Sequence, residues 1–394
     1  MIFLFLILEN STAQQSKVFV LDLNTLSKVR ESIQANKKQY KEPYKKLLRD
    51  ADKILAEGPW SVMDKSQTPP SGDKHDYMSL ARYFWPDSSK PDGLPYIQQD
   101  GETNPEVESI TDRKGFEKVG HNVSTFALAY FFTGEEKYAE KAAELLRTWF
   151  LDPKTMMNPN FNFGQMVKGK KAEGRPSGLI ESRPFNEIVD GIGFLEGSKS
   201  WTKTDQKGMI DWFEKYYNWL NTSEISLKEA ATTNNHGMWF DVQKVAIALF
   251  IGKNVEAASI LNEAKTKRIA TQIDPEGKQS RELARTRSLH YTHFNLEAMF
   301  KLASMAEKVG IDLWNFKTED GRSIQKALDW AMPFVLGDKK WENEQLDEFK
   351  MEDFYPEFLQ AAYQYKDERY LKAAESVSVE NTVKDRVNLY YPKK

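Results

Sequence analysis

The stretch ALAYFFTGEEKYAEKAAELL, residues 127–146, joins an Ala- and aromatic-rich run to an amphipathic run through a short turn. Apolar residues that recur every three or four positions are typical of helices that bury one face. The same pattern recurs in AIALFIGKNVEAASILNEA (246–264) and in QAAYQYKDERYLKAAESV (360–377). We therefore interpret all three stretches as pairs of antiparallel helices, each pair joined by a tight turn.

Helical spacing continues between these hairpins. Further helices are predicted around residues 24–57, 202–221, 291–308 and 322–336, and only KVFVLD (17–22) has the pattern of a short strand. The predicted class is all-α. Hairpins spread along the whole chain and packed around a common core indicate an α/α toroid, and an open solenoid is the alternative that uses the same hairpins.

The composition indicates a globular protein. The chain has 394 residues, of which 40% are hydrophobic, and this is enough for a sizeable core. We expect one domain over residues 17–394, acting as a monomer. The net charge of −3 gives no overall positive field, so we expect neither nucleic acid nor a membrane surface as a partner, and a polyanion would need a local basic patch. The absence of cysteine excludes disulfides, thiolate metal sites and a cysteine nucleophile.

The first residues, MIFLFLILENSTAQQ, contain an apolar run that is too short to cross a bilayer. Small and polar residues follow it, which predicts an export signal over residues 1–13 with cleavage after Ala13 and a periplasmic or secreted protein. The run lacks the usual preceding Lys or Arg, and a buried first segment is the alternative. No other stretch has the pattern of a membrane-spanning helix.

Two long segments, residues 75–106 and 152–187, interrupt the helical pattern with Pro, Gly, Asp and aromatic residues. Segments of this length without helices often form binding loops, and sugar rings pack well on aromatic faces. We expect both segments to form the walls of a cleft, although their aromatic residues could instead only attach the loops to the body. The second segment would bring cations to the cleft, namely Lys168, Lys170, Arg175 or Arg183.

The stretch ATTNNHGMWFDVQ (231–243) places Asn234, Asn235 and His236 at the start of a predicted helix. One Asn is sufficient to cap a helix, so this cluster has more hydrogen-bonding groups than a cap needs. The start of a helix also favours an anion through its dipole. The cluster is therefore a candidate anion site, and an ordinary capping motif is the alternative.

A second polar concentration occurs in RELARTRSLHYTHFN (281–295). Its spacing allows Arg281, Arg285 and His290 to share one helix face, with Tyr291 beside them. A solvated charged face is the alternative. Three of the five histidines of the chain lie in these two stretches, which favours a functional site.

Amide, Arg, His and Tyr side chains suit β-elimination from a uronic acid polymer. Amide and guanidinium groups can neutralise the sugar carboxylate, so that the C5 proton becomes more acidic. A base then removes that proton and an acid protonates the leaving O4. The chain contains no Gly-rich phosphate loop, HExxH motif, EF-hand loop or nucleophilic-serine motif. The expected substrate is therefore an anionic polysaccharide, and no metal or other cofactor is predicted.

Several stretches together resemble one known group of proteins: NNHGMWFDVQ, RELARTRSLHY, HDYMSLARYFWPD and GHNVSTFALAYFFTGEEKYAEKAAELLRTWFLDP. They are similar to the alginate lyase superfamily, and most similar to polysaccharide lyase family thirty-eight, over residues from His75 to Trp314. The resemblance implies an α/α toroid of about seven helical hairpins. It also implies a periplasmic or secreted enzyme that cleaves 1,4-linked uronans, either alginate or glucuronan, without a required metal.

The resemblance also implies roles for individual residues. Asn235, with Asn234 behind it, would hold the carboxylate, and Arg285 would complete its neutralisation. His236 would be the base or its partner, and Tyr291 the acid. Tyr291 would also be the base where the C5 proton and O4 leave from the same side; its pKa must then be lowered or its proton passed on, and a nearby Arg285 would favour the phenolate. The implied substrate contacts are His75, Tyr77, His121, Asn122, Arg183, Trp239, Arg287 and His290.

Two other functions fit parts of the sequence. A glycoside hydrolase would need two carboxylates across the bond, and Asp190, Asp241 and Glu282 are the residues that could be nominated. A sugar-binding protein would use the aromatic and arginine residues without an acid or a base, and it would release its ligand intact. Glucuronan is the alternative to alginate as the substrate of a lyase.

Overall fold

The computed structural model describes residues 17–392, and its secondary structure is mostly helical, with 59% helix and 3% strand. These proportions confirm the predicted all-α class. The export signal predicted at residues 1–13 lies outside the described residues. Within the described part of the chain, no helix is both long enough and apolar enough to cross a membrane.

The helices and strands are numbered in chain order. The α-helices are α1 Leu23–Gln34, α2 Lys41–Ile54, α3 Asp112–Thr133, α4 Glu136–Leu146, α5 Pro184–Phe194, α6 Lys203–Thr222, α7 Glu224–Ala230, α8 Asn235–Phe250, α9 Asn254–Ala264, α10 Ala270–Gln272, α11 Ser280–Leu283, α12 Ser288–Glu307, α13 Ile324–Val335, α14 Tyr355–Tyr365, α15 Glu368–Ser376, α16 Glu380–Val383 and α17 Val387–Tyr390. The strands are β1 Met78–Leu80, β2 Phe84–Trp85, β3 Ile97–Gln98 and β4 Phe163–Met166.

The three predicted hairpins are confirmed as the pairs α3 and α4, α8 and α9, and α14 and α15, whose members pack against each other. The turn between α3 and α4 shows why the chain reverses its direction at this point. Gly134 has a φ of 73°, which glycine adopts at little cost, and its N–H donates to the carbonyl of Tyr130 at 2.7 Å.

The hairpins are arranged in a ring. Helix α3 packs against α5, α5 against α8, α8 against α12, and α12 against α14, so these helices follow one another around the inside. Helices α4, α9, α13 and α15 pack against the outer faces of their inner partners. This arrangement is the α/α toroid that the repeated hairpins predict.

The inner helices are apolar on nearly all sides because they pack both within the ring and against the outer helices. Helix α8 is buried along almost its whole length. Beside it, the ring of Phe185 on α5 lies 5.0 Å from that of Phe116 and 4.9 Å from that of Tyr216. Removing such a buried ring costs about 3–5 kcal/mol. This packing holds the inner helices in place, and it therefore also sets the positions of the side chains at their first turns.

The strand predicted at residues 17–22 is wrong. The backbone N–H groups of Phe19, Val20 and Leu21 donate to the carboxylate of Asp190 on α5, at distances from 2.6 to 3.2 Å. A strand would have donated these hydrogens to a neighbouring strand, but the buried carboxylate accepts them here. Apolar alternation alone could not reveal this long-range partner.

The two long segments lie side by side. Strand β1 of the first segment pairs in parallel with β4 of the second, and β2 pairs antiparallel with β3 within the first segment. The two segments therefore form one structure over the starts of the inner helices.

Candidate active site

A cleft of about 460 Å³ lies where these two segments meet the first turns of α5, α8 and α12. Both segments contribute to its walls, as expected. In the described part of the chain, this is the cavity that gathers His236, Arg285 and Tyr291. Its lining residues are Arg82, Tyr83, Phe84, Gln98, Glu117, Gln165, Arg175, Ser177, Ile180, Glu181, Arg183, Asn235, His236, Arg285, His290, Tyr291, His293, Phe294, Glu297 and Asp353.

The two asparagines at the start of α8 have different environments. Asn234 is the N-cap, and its side-chain oxygen accepts the N–H of His236 at 3.3 Å. Asn235 is 1% exposed, and both its backbone N–H and its side-chain Nδ2 donate to the carboxylate of Glu282, at 2.7 and 2.6 Å. The capping alternative therefore accounts for Asn234, and it does not account for Asn235.

His236 is the second residue of α8 and lies half-buried in the wall of the cleft. Its Nδ1 is 2.6 Å from Oε1 of Glu229, a buried carboxylate on α7. A carboxylate in this position holds an imidazole in one orientation and favours a proton on Nδ1. The other ring nitrogen, Nε2, is then the atom that can accept a proton from a substrate.

Tyr291 is 7% exposed and lies on the first turn of α12. Its hydroxyl oxygen accepts a hydrogen bond from Nη2 of Arg285 at 2.9 Å, and its O–H donates to the hydroxyl of Tyr83 at 3.1 Å. The Arg285 guanidinium also lies 3.9 Å from the centre of the Tyr291 ring. These contacts place a phenol, a second phenol and a cation together in the cleft.

Arg285 acts to lower the pKa of Tyr291, as expected, but the net pKa lies above the ordinary value of a tyrosine. Burial and the neighbouring Tyr83 raise this pKa, and the opposing effect of Arg285 is smaller. The phenol of Tyr291 is therefore protonated at neutral pH. This state suits a proton donor to a leaving oxygen.

Arg285 is held by a residue that the sequence did not indicate. Its Nη2 and Nε donate to the two carboxylate oxygens of Asp100, at 2.6 and 3.1 Å. Burial tends to raise the pKa of Asp100, but the contact with Arg285 outweighs this effect and lowers it. Asp100 therefore keeps its charge and orients the guanidinium.

A stacked group forms another wall of the cleft. The guanidinium of Arg183 lies 4.8 Å from the ring centre of Phe294, and the ring of His290 lies parallel to Phe294 at 6.0 Å. Burial, together with the charge of Arg287, lowers the pKa of His290 to about 4, so this imidazole is neutral near pH 7. Arg183 and His290 are thus brought to the cleft, as predicted.

Two predicted contacts lie behind the wall. The indole of Trp239 is buried, and its N–H donates to the carbonyl of Phe294 at 3.2 Å, so this ring supports the stacked group from below. Arg287 points to another loop, where its Nε donates to Asp347 at 2.8 Å. Neither side chain is part of the cleft lining.

The structure does not bring four further candidates, His75, Tyr77, His121 and Asn122, to the cleft. Nδ1 of His75 lies 2.6 Å from the carbonyl oxygen of Met156. Tyr77 is fully buried and donates to Glu181 at 2.8 Å. His121 and Asn122 lie on α3, which contributes Glu117 to the lining but neither of these two residues. The hydrogen bonds of His75 and Tyr77 join the first long segment to the second, and the ring of Tyr77 packs 6.4 Å from that of Phe116 on α3, so Tyr77 attaches its segment to the body.

The predicted cations of the second segment divide into two groups. Arg175 and Arg183 line the cleft. Lys168 pairs with Glu106, and the ammonium of Lys170 lies 5.3 Å from the ring centre of Phe84, so neither lysine reaches the lining. Of these predicted cations, only the arginines therefore line the cleft.

Sequence reasoning missed several residues in the cleft or in contact with its lining. Tyr83 and Asp100 lie in the first long segment, far along the chain from their partners, and no local spacing predicts those contacts. Gln165 has a φ of 52° although it is not glycine, and its N–H donates to the Ser79 hydroxyl at 2.7 Å. Such backbone strain is common at functional sites, but it is visible only in the structure.

The carboxylates nominated for a hydrolase have other partners. Asp190 accepts backbone N–H groups, as described above, and Asp241 forms an ion pair with Arg268 at 2.7 Å. Glu282 holds Asn235. None of the three is part of the cleft lining. The cleft therefore lacks the pair of carboxylates that these residues would have provided for hydrolysis.

An α/α toroid whose cleft presents a phenol, an imidazole and arginines is characteristic of a polysaccharide lyase, and this protein is such an enzyme. Residues 61–341 match the family model described as Alginate lyase. The chain belongs to the alginate lyase family, and its assignment to family thirty-eight stays a prediction.

Solved structures agree with this assignment. The fold is similar to the crystal structure of an alginate lyase from Bacteroides ovatus, with a TM-score of 0.92 and 40% identity over 96% of this chain and 100% of that chain. It is also similar to alginate lyase A1-III from Sphingomonas species A1, with a TM-score of 0.59 and 16% identity over 96% and 97% of the two chains. A His-to-Ala variant of A1-III complexed with a tetrasaccharide has a TM-score of 0.61 and 15% identity, and the match covers 98% of each chain. A search of curated protein sequences found no match to this chain.

Proposed function

We propose that this lyase cleaves alginate by β-elimination, with Arg285, Asn235, His236 and Tyr291 as the residues that act on the sugar. The observation that carries the proposal is the 2.9 Å contact between Arg285 and the hydroxyl of Tyr291, in a cleft that His236 also lines. The relative from Bacteroides ovatus is described as an alginate lyase, and it supports alginate as the substrate.

The first step is neutralisation of the carboxylate beside C5. Arg285 and Asn235 supply a guanidinium and an amide, which can stabilise the charge that grows at the carboxylate as the proton leaves. Arg82, Arg175 and Arg183 add positive charge to the lining of the same cleft. In a chain with a net charge of −3, these arginines are the groups that would attract a polyanion, and the carboxyl groups of Glu117, Glu181, Glu297 and Asp353 line the same cleft.

The second step is the transfer of two protons. The base takes the C5 proton, the C–H electron pair becomes the C4–C5 double bond, and O4 leaves with a proton from the acid. In guluronate the C5 proton and O4 lie on opposite faces of the ring. His236 is then the base through Nε2, and Tyr291, which is protonated at rest, is the acid.

Mannuronate and glucuronate present the C5 proton and O4 on the same face. The hydroxyl oxygen of Tyr291 can then take the C5 proton and return it to O4, but only after the phenol has passed its own proton to solvent. Arg285 is placed to stabilise the phenolate, while burial opposes it. Guluronate cleavage therefore uses the resting state of the phenol directly, and mannuronate cleavage requires a change in its protonation.

Export and assembly are part of the proposal. The sequence of residues 1–13 supports a cleaved export signal and action in the periplasm or outside the cell, where the enzyme would work as a monomer. Sequencing the N-terminus of protein recovered from the periplasm or the medium would test the cleavage after Ala13. An intact residue 1 in the exported protein would contradict it.

The main test is to incubate the protein with alginate and, separately, with glucuronan, and to follow the ultraviolet absorbance of the unsaturated product. We expect absorbance from alginate, no loss of rate with a chelator, and little rate in Arg285→Ala or Asn235→Ala. Loss of one such preorganised group costs about 10²–10³ in kcat. New reducing ends without absorbance would instead indicate hydrolysis, and a faster reaction on glucuronan would change the assigned substrate.

A further inference from the structure

Glu282 meets Asn235 at two points. Its Oε1 accepts the backbone N–H of Asn235 at 2.7 Å, and its Oε2 accepts Nδ2 of the same residue at 2.6 Å. Glu282 is 1% exposed, and it lies at the end of a short helix that packs beside α12. The carboxyl group therefore determines which way the amide of Asn235 faces.

The oxygen of the Asn235 side-chain amide has no such partner. Oδ1 of Asn235 is buried and makes no hydrogen bond, although Asn235 contributes to the cleft lining. A carbonyl oxygen can only accept hydrogen bonds, and it would repel the carboxylate of a sugar. The orientation seen with ionised Glu282 is thus poorly suited to the anion-binding role proposed for Asn235.

We infer that Glu282 is a positioning residue that turns the amide of Asn235 over when it takes up a proton, so that the amide nitrogen is offered to the carboxylate of the substrate. This inference rests on the proposed function of Asn235. In the protonated state, Oε1 of Glu282 still accepts the backbone N–H, and the new O–H on Oε2 donates to Oδ1 of Asn235. After this flip of the amide, Nδ2 occupies the former position of Oδ1, and both of its hydrogens are free to donate. One proton is taken from solvent, and no other group changes.

The surrounding charges allow this change. Burial raises the pKa of Glu282, whereas the hydrogen bonds from Asn235 and the charges of His236 and Arg285 oppose the increase without cancelling it. Each of these two side chains has its own carboxylate, His236 with Glu229 and Arg285 with Asp100. An anionic sugar in the cleft would favour protonation of Glu282 further, because it adds negative charge nearby.

Substitution by glutamine isolates this role, because glutamine has the shape and hydrogen-bonding pattern of protonated glutamate. In Glu282→Gln the side-chain oxygen can accept the backbone N–H of Asn235, and the side-chain nitrogen can donate to Oδ1. This variant holds the amide in the proposed binding orientation at every pH. Glu282→Ala removes both contacts, so that no side chain at position 282 determines the orientation of the Asn235 amide.

The experiment compares kcat/KM on alginate across pH for the wild-type enzyme, Glu282→Gln and Glu282→Ala. Above the pKa of Glu282, the protonated fraction of Glu282 falls about tenfold per pH unit. The kcat/KM of Glu282→Gln divided by that of the wild-type enzyme should therefore rise by up to about tenfold per pH unit. Glu282→Ala should have a lower kcat/KM than both, and its kcat/KM should not show this dependence on pH. Glu263→Gln, at an exposed carboxylate paired with Lys267, should follow wild type. A ratio that stays flat with pH, or a Glu282→Gln variant as slow as Glu282→Ala, would overturn the inference.

Calorimetry provides a second measurement that does not depend on turnover. An alginate tetrasaccharide is titrated into Tyr291→Phe in buffers of different ionisation enthalpy, so that proton uptake on binding is measured. We expect uptake of up to one proton, and none from Glu282 in the double variant Tyr291→Phe, Glu282→Gln. Equal uptake in the two proteins would refute the role of Glu282. Absence of unsaturated product with the wild-type enzyme would instead refute the proposed function.

Discussion

The carboxylate of Asp100 holds the guanidinium of Arg285 at two points, with 2.6 Å between Oδ1 and Nη2 and 3.1 Å between Oδ2 and Nε. Arg285 uses the same Nη2 to reach the hydroxyl of Tyr291 at 2.9 Å. The first long segment is thereby tied to the residues just before α12. One ion pair thus positions a loop, a cation and a phenol together.

We expect Asp100→Ala to lower kcat on alginate by about tenfold, because Arg285 loses the partner that orients it and a charged hydrogen bond is worth about 1.5–3 kcal/mol. Steady-state kinetics would measure the effect. Asp87→Ala is the matched control, since Asp87 lies in the same segment and contacts Ser89 instead of Arg285. Equal losses in the two variants would indicate general damage to the segment.

Tyr83 should matter less than Tyr291. Tyr291→Phe removes the proposed acid and should leave almost no cleavage of any polyuronate. Tyr83→Phe removes the 3.1 Å hydrogen bond that aligns the Tyr291 hydroxyl, worth about 1 kcal/mol, so kcat should fall about fivefold. Tyr96→Phe, whose hydroxyl donates to Glu106, serves as the control. Full activity of Tyr291→Phe would remove this residue from the mechanism.

His236 should be more important for guluronate than for mannuronate. His236→Ala should lower kcat on polyguluronate by about 10²–10⁴, the usual contribution of a general base, and should lower kcat on polymannuronate less. Glu229→Gln should show the same preference with a smaller loss, because Glu229 only orients the imidazole, at 2.6 Å. The rates of both variants are to be measured on both polymers. Equal losses on the two polymers would contradict the proposed division of roles.

The ion pair between His293 and Glu357 should make stability depend on pH. Burial opposes a charge on His293, but Glu357 at 3.1 Å, with Glu297 and Asp353, outweighs it and raises the pKa to about 9. The folded pKa exceeds the unfolded value of about 6.5, so this contribution is complete below pH 6.5 and disappears as pH rises through about 9. Urea unfolding should show the difference between wild type and Glu357→Gln shrinking over this range. A difference that stays constant with pH would show that the pair does not titrate there.

Gly237 leaves no room for a side chain at the start of α8. A Cβ there would meet the carbonyl oxygen of Thr232 and the guanidinium of Arg268, which is fixed by Asp241 at 2.7 Å. Gly237→Ala should therefore lower the free energy of unfolding by about 3 kcal/mol. Gly134→Ala has open space and only a backbone cost, about 1–2 kcal/mol, so it should be milder. Thermal or urea unfolding measures both variants, and equal effects would argue against the steric explanation.

The helical hairpins could be read from the sequence because a helix is determined largely by contacts between residues three and four positions apart. The pattern in residues 127–146 contains its own turn and both of its buried faces, and the structure places α3 and α4 there. Polar residues at a helix start are also a local signal. For this reason Asn235, His236 and Tyr291 could be nominated as site residues before their geometry was known.

Other features depended on partners that are distant along the chain. Asp100 and Tyr83 reach Arg285 and Tyr291 across separations of 185 and 208 residues, and Asp190 replaces a predicted strand by accepting N–H groups 169–171 residues away. No periodic pattern encodes such contacts, because they arise only when the ring of helices closes.

The sequence by itself determined the helices, their pairing and the chemical groups available for catalysis. The tertiary structure decided the state of those groups, because burial and nearby charges set their pKa values. Arg285 favours the phenolate of Tyr291, as the sequence predicted, yet burial and Tyr83 outweigh it and raise the pKa. Tyr77 looked like a sugar contact, yet it is fully buried against Glu181. Solvent exclusion is a property of the whole packed toroid, and no single stretch of sequence contains it.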